Sequence, residues 1–148
     1  MDDLITIDRP IQEVFAYITD HANDKYWKPF VTESRQISPG PIGVGTRFEI
    51  VTVAWSYHHA GEVEVLEYEP HSYYVYRAHD KIFSFIARLW FSESPSASGT
   101  HMRGQVEFQA KGVGKALAPL FRMFMGSQSK QTFARLKQVI ESSGEKTT

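Results

Sequence analysis

The sequence predicts an α+β domain: an antiparallel sheet of about six to seven strands, one long C-terminal helix, and two short helices after the first strand. Three observations carry this. Residues 33–110 are short alternating segments cut by turn-forming clusters. Residues 113–142 carry an apolar stripe at helical spacing. And 148 residues, with no internal repeat, low-complexity tract or linker, is the length of a single domain. The expected domain is 1–142, with 143–148 ("SGEKTT") a frayed tail.

Taken in order, "LITID" (4–8) alternates and reads as a strand. In "RPIQEVFAYITD" Ile11, Val14, Phe15 and Ile18 fall at i, i+3, i+4 and i+7, one face of a helix. Pro10 suits its first position, and Glu13 favours its positive N-terminal end. "HANDKYWKPF" (21–30) is a second short helix or turn, stopped before Pro29. Strands then follow, broken at 38–45, near Ala54–Tyr57, at "EPHS" (69–72), at Asp80–Lys81 and at 92–99. Such short connections require antiparallel neighbours. In the last helix Leu117, Leu120, Phe121, Phe124, Phe133, Leu136, Val139 and Ile140 make the stripe that covers the buried face of the sheet. Pro119 and Gly126 are places for a kink.

Alternation assigns faces. Successive strand residues point to opposite sides, so His58 and His59 cannot share one unless a bulge intervenes. Glu62 and Glu64 share parity with His58, Val63 and Val65 with His59. Burying unpaired carboxylates is very costly, so the valine side is the inner one. A four-residue loop, Glu69–Ser72, then places Tyr68 opposite Tyr73, Val65 opposite Tyr76 and Val63 opposite Ala78. It also puts Glu64 opposite Arg77 and Glu62 opposite His79, a charge pairing worth roughly 0.2–1 kcal/mol. A two-residue turn at Asp80–Lys81 sets Ala78 on Phe83, Tyr76 on Phe85 and Tyr74 on Ala87. Trp90 and Ile86 fall on the outer face, where they mark a candidate protein contact. In the strand at 46–55, Phe48, Ile50 and Thr52 look inward, but Val51, Val53 and Trp55 pull the other way, which a bulge would reconcile.

Composition removes several functions. There are no cysteines, so cysteine-type zinc sites, thiol nucleophiles and disulfides are excluded. Net charge is -1 with scattered basic residues, which gives no pull toward nucleic acid or anionic membrane. No stretch approaches the roughly 18 apolar residues of a membrane helix, and the N-terminus does not read as a signal peptide. A soluble cytoplasmic protein, monomer or homodimer, is expected. The six histidines form neither an i, i+4 helical pair nor an HExxH pattern, so no metal is expected. The nucleophile-elbow, phosphate-loop and dinucleotide patterns are missing, and "GPIGVG" precedes a strand rather than a helix. No cofactor is expected. Aromatics reach 14% of the chain, which suits either a bulky core or a ring-lined pocket.

"ITIDRPIQEVFAYITDHANDKYW" (5–27), "GVGTRFEI" (43–50), "VEVLEYEPHS" (63–72) and "LAPLFRMFMGSQSKQTFARLKQVIE" (117–141) resemble the polyketide cyclase/dehydrase branch of the START-like (SRPBCC) superfamily. The resemblance spans nearly the whole chain. It implies the helix-grip fold, a curved sheet wrapped around the C-terminal helix with a cavity between them. It implies too that Tyr26 and Trp27 border the cavity entrance, and that Phe121, Phe124, Gln128, Thr132 and Leu136 line its floor. Members bind or transform very different apolar molecules, so function has to come from the site.

The expected function is binding or carrying a small-to-medium hydrophobic ligand, lipid included. The alternatives are a cyclase- or dehydratase-type enzyme and a protein–protein module. Parity and resemblance together nominate Trp27, Thr52, Tyr57, His59, Tyr74, Tyr76, Phe85, Phe121, Phe124 and Gln128 as ligand-binding. His59 is the sole catalytic candidate. A general base needs an orienting group, and no carboxylate shares its predicted face. Tyr74 and Tyr76 supply apolar rings with polar tips, the mixture a pocket wall requires. For each of these the plain alternative is ordinary core packing.

Overall fold

In the computed structural model, which describes residues 2–54, 57–81, 83–95, 99–110, 119, 123 and 130–142, the alternating segments form seven strands. They are β1 (Asp2–Ile7), β2 (Val31–Gln36), β3 (Arg47–Ala54), β4 (Tyr57–Glu69), β5 (Tyr73–His79), β6 (Phe83–Glu93) and β7 (Thr100–Ala110). All pair antiparallel in one sheet of order β1-β7-β6-β5-β4-β3-β2. β2 to β7 is a plain meander, while β1 joins its far end. Helix α1 (Ile11–Thr19), a 3-10 turn (His21–Asn23) and helix α2 (Asp24–Trp27) therefore carry the chain from one sheet edge to the other. That crossing seals one end of the inner face.

The apolar spacing of α1 is realised: Ile11, Val14, Phe15 and Ile18 are buried. Pro10 stands just before the first helical residue, and its carbonyl accepts from the backbone N–H groups of Glu13 and Val14. Residues 130–142 form helix α3, and Pro119 and Met123 are also helical. Leu136 and Ile140 enter the core beside Phe48, Val63, Val65, Tyr74, Ala87, Leu89 and Met102. Fully burying a side chain of this size contributes about 1.5–3 kcal/mol. A Cβ on Gly104 of β7 would stand 3.3 Å from the Leu89 side chain and 3.5 Å from the Phe133 ring, so this position of the strand lies directly beneath α3. Polar ties fix α3 at both ends of this packing. Lys137 Nζ donates to the Thr6 carbonyl (2.8 Å), and Asp8 N–H donates to Glu141 Oε1 (2.9 Å). Arg9 Nη2 donates to the Glu141 carbonyl, and Arg135 Nε to the Tyr26 carbonyl (3.0 Å).

The predicted register holds in its first half and slips in its second. Glu62 pairs with His79, Val63 with Ala78, Glu64 with Arg77 and Val65 with Tyr76. A bulge at Leu66 then sets Tyr68 opposite Tyr74 rather than Tyr73, and turns Tyr68 to the inner side. The next turn is longer than two residues: Asp80 Oδ1 accepts from Phe83 N–H (2.8 Å), and Asp80 N–H donates to the Phe83 carbonyl. Ala78 therefore meets Phe85, Tyr76 meets Ala87 and Tyr74 meets Leu89. The displacement is two residues, so every side chain keeps its face. β3 pairs with β4 without interruption from Arg47 to Ala54, and the irregularity lies instead on the β2 side, between Val31 and Glu33.

Candidate functional site

The short segment after α1 positions a chain of buried polar groups. His21, Asp24 and Lys28 are spaced i, i+3 and i+7, so a helical turn presents all three on one side. That side faces Tyr74 and Tyr76 on the inner face of β5. Asp24 Oδ2 lies 2.8 Å from His21 Nδ1 and 2.9 Å from Lys28 Nζ. With Asp24 ionised, Nδ1–H of His21 donates to it, and Nε2 lies 2.9 Å from the Tyr74 hydroxyl oxygen. The Tyr74 hydroxyl is also 3.4 Å from the Thr19 carbonyl. Lys28 Nζ donates to the Tyr76 hydroxyl oxygen at 3.1 Å and sits over the rings of Trp27 (5.1 Å) and Tyr76 (4.9 Å). The rings of His21, Tyr74, Tyr76 and Phe48 pack on one another around this chain.

Asp24 is 1% exposed and Lys28 18%. Burial pushes the Asp24 carboxyl up, but His21 and Lys28 outweigh it and hold it below the usual Asp range. Burial likewise works to lower the Lys28 ammonium, yet Asp24 and then Tyr76 keep it above its ordinary value. Tyr74 is driven well above the normal phenol range by burial first and the neighbouring Tyr76 second. Tyr17 on α1 is raised to about 12, by burial and then by Asp24. The pair is therefore a charged one held near the core, and removing one partner leaves the other buried without compensation. Among the described residues, Asp24 Oδ1 and Trp27 Nε1 are buried and meet no hydrogen-bond partner.

Further along the same concave face the packing opens. Phe48, Val63, Val65, Tyr74, Tyr76, Ala78, Leu89 and Phe91 are buried against α1, α2 and α3. Ile50, Thr52, His59, Phe85, Val106 and Phe108 have the same inward parity but are only half-buried. Thr52 and His59 are direct cross-strand partners. Phe85 touches the Tyr76 ring edge-on, centroids 6.2 Å apart, which joins the closed part to the open one.

The predicted site residues thus divide. Tyr74 and Trp27 are core, 0% and 6% exposed, while Tyr26 is exposed beside Lys25. Tyr76 stands at the border. Thr52, His59 and Phe85 line the half-open part. Tyr57 lies on β4, its side chain outside the described residues, as are Phe121, Phe124 and Gln128. One expectation is corrected. The inner face does meet a carboxylate–histidine pair, Asp24 and His21, delivered by the crossing segment rather than by a strand. Apolar periodicity misses both, because a four-residue helix is too short to show it. The detectable signal is the i, i+3, i+7 spacing of His21, Asp24 and Lys28.

Apart from Tyr68, which the bulge turns inward, the outer face of β4 and β5 is as parity assigned it. His79 and Arg47 lie 3.8 and 3.6 Å from Glu62. Trp90 is half-buried between Tyr73 (5.5 Å) and the Arg103 guanidinium (4.9 Å), which satisfies much of its surface within the sheet. Two surface grooves lie elsewhere. One, of about 410 Å³, is lined by Lys25, Ser34, Arg35, Glu49 and their neighbours, and one of about 300 Å³ by Glu13, Ala16, Tyr17 and Ile140. Among the described residues no group of three or more His, Asp or Glu side chains is placed to hold a metal. No helix among them is long and apolar enough to cross a membrane.

Residues 2–141 match the family described as polyketide cyclase / dehydrase and lipid transport. The fold is similar to that of a START superfamily protein from Mycobacterium smegmatis, with a TM-score of 0.76, 9% identity, and coverage of 96% of this chain and 97% of that one. An aromatase/cyclase, Zhui, from Streptomyces sp. R1128 gives 0.75 at 10% identity, over 95% and 92%. TTHA0849 from Thermus thermophilus gives 0.71 at 15%, over 97% of each. The comparison with curated proteins gave no match. Sequence and architecture agree, and the chain belongs to the polyketide cyclase / dehydrase and lipid transport family.

Proposed function

We propose that the protein binds or carries a small-to-medium apolar molecule against the concave face of the sheet. The observation that supports this reading is the unequal burial of that face. Side chains of the same parity are sealed at one end, while Ile50, Thr52, His59, Phe85, Val106 and Phe108 are left half-buried. An apolar wall with a few polar groups, here Thr52, His59 and Tyr76, is the usual make-up of a ligand site. Titration with 1-anilinonaphthalene-8-sulfonate, alongside mass spectrometry of the natively purified protein, tests it. Saturable one-site binding that Phe85→Asp weakens at least tenfold is expected. Failure to bind the dye, together with no co-purifying small molecule, would remove the proposal.

A cyclase- or dehydratase-type reaction on the bound molecule is the second reading. It is favoured by the position of His59 on the half-open part, opposite Thr52. In this reading the His59 imidazole moves a proton at the bound molecule. Its test is turnover of an aromatic polyketide substrate by wild type and His59→Ala, with unchanged turnover removing His59 from any mechanism.

A further inference from the structure

β2 is an edge of the sheet, paired only with β3. The Ile37 N–H donates to the Arg47 carbonyl on the β2 side of β3, and the Val65 N–H to the Thr46 carbonyl on its β4 side. Antiparallel bonding alternates along a strand, so the backbones of Glu33 and Arg35 bond to Val51 and Glu49 of β3. The N–H and C=O of Ser34 and Gln36 then point away from β3, along the free edge. Among the described residues no group donates to them or accepts from them. Ser34 is only 6% exposed, with its hydroxyl turned in to the Ala22 carbonyl (2.9 Å). Water therefore does little for its backbone groups, and buried backbone groups are nearly always paired. The groove of about 410 Å³ runs beside them, lined by Thr32, Glu33, Ser34 and Arg35 in succession and by Lys25 of α2. Side chains of both parities line it, which places it along the edge of the strand.

We propose that this edge pairs with the same edge of a second copy of the chain, antiparallel about Ser34, so that two sheets join into one. The charges choose the occupant. In that register Ser34 lies opposite Ser34, and the two exchange both N–H···O bonds. Glu33 lies opposite the partner's Arg35, and Arg35 opposite the partner's Glu33. These are the non-hydrogen-bonded positions, where facing side chains stand closest, and opposite charges there are favourable. Within one copy Arg35 Nη2 lies 3.3 Å from Glu49, while Glu33 has no ion-pair partner among the described residues. Pairing gives Glu33 a cation and sets Arg35 between two carboxylates. The edge is thus its own complement, as a two-fold contact requires. The other edge strand, β1, carries Asp2 and Asp3 and no basic residue, so it does not match itself in this way. The irregularity between Val31 and Glu33 ends the ladder after a few residues, which makes the contact a short one.

Sedimentation equilibrium of the whole protein, from about 10 μM to about 1 mM, tests the pairing. Wild type should form dimers and nothing larger. Glu33→Arg and Arg35→Glu should each weaken the dimer about tenfold, because each sets like charges opposite one another at two places. Both positions are exposed, so both variants should fold. An equimolar mixture of the two variants should recover the wild-type dimer constant to within about threefold, since two cations then face two anions. Amide hydrogen exchange at Ser34 should slow as concentration rises, with β1 unchanged. A monomer across the whole range overturns the proposal. So does a dimer that neither variant weakens, or a mixture no tighter than its components. Assembly beyond the dimer, with β1 amides protected as well, would mean that β2 takes β1 of the next copy, and the two-fold pairing falls.

Discussion

One end of the concave face is closed by rings and a charged pair, and the other is bounded by half-buried side chains. Both are built from the same strands with the same alternation. Phe48 and Thr52 lie four residues apart on β3, and Val63 and His59 four apart on β4, yet the first of each pair is fully buried and the second half-buried. The difference comes from what lies across the face. α1, the turn and α2 cross only one end, and they bring Asp24 and Lys28 with them. The strands set which side chains point inward. The crossing segment decides which of them are fully buried.

Truncation at the two ends should therefore cost different amounts. Phe48→Ala should lose about 3–5 kcal/mol, as for a ring removed from a packed core. Phe85→Ala should lose less than half of that, and should change dye binding more. Equal losses in chemical denaturation would erase the distinction between the ends.

The charged pair comes next. Asp24→Asn leaves Lys28 without its counter-charge and should cost about 3 kcal/mol. Its pH dependence has a defined sign. Asp24 is held low by His21 and Lys28 against burial, and Glu141 by Lys137 and the Asp8 N–H against burial. A carboxyl depressed on folding adds stability above its unfolded value, about 3.9 for Asp and 4.3 for Glu. That stability disappears as pH falls through the lower folded value. Denaturation midpoints measured from pH 7 down to about 2.5 should drop, and Asp24→Asn should flatten the drop. A parallel curve would show that Asp24 is not the group being titrated.

At the junction of the two ends, Gly61 meets the β5–β6 turn. A Cβ there would stand 2.6 Å from the His79 carbonyl oxygen, a backbone atom that cannot swing aside. Gly61→Ala should cost about 1–3 kcal/mol, and a neutral result would mean that this turn yields readily. The smallest effect belongs to His59→Ala, within about 0.5 kcal/mol in stability but measurable in dye or probe affinity. A large stability loss with unchanged binding would mark His59 as a packing group.

Much of this was legible in the residues. Alternation, with the cost of burying Glu62 and Glu64, gave the inner and outer faces of β4 and β5 and the charge partners across them. It did not give the bulge at Leu66 or the longer Asp80 turn, because neither changes the pattern of apolar and polar residues. Only the second preserves every face, by shifting two residues and not one. Tyr74 and Tyr76 were placed inward correctly. Their partners could not be found by the same means, since they come from a stretch about fifty residues earlier in the chain. A search for polar residues one helical turn apart, in place of apolar ones, finds His21, Asp24 and Lys28 at once.

The position of β1 bears on how the chain folds. Its pairing joins Asp2 to Gln105 and Ile7 to Thr100, among the longest sequence separations in the molecule, and α3 is bound back to the same place through Thr6, Asp8 and Arg9. Contacts so distant in sequence carry the largest loop-closure entropy and tend to slow folding. The meander from β2 to β7 is assembled from neighbours and has no such barrier. The two ends of the chain should therefore close last, as a clasp on a sheet already formed. Stopped-flow kinetics of Lys137→Met should show faster unfolding with little change in the folding rate; a slowed folding rate would place the clasp in the nucleus instead.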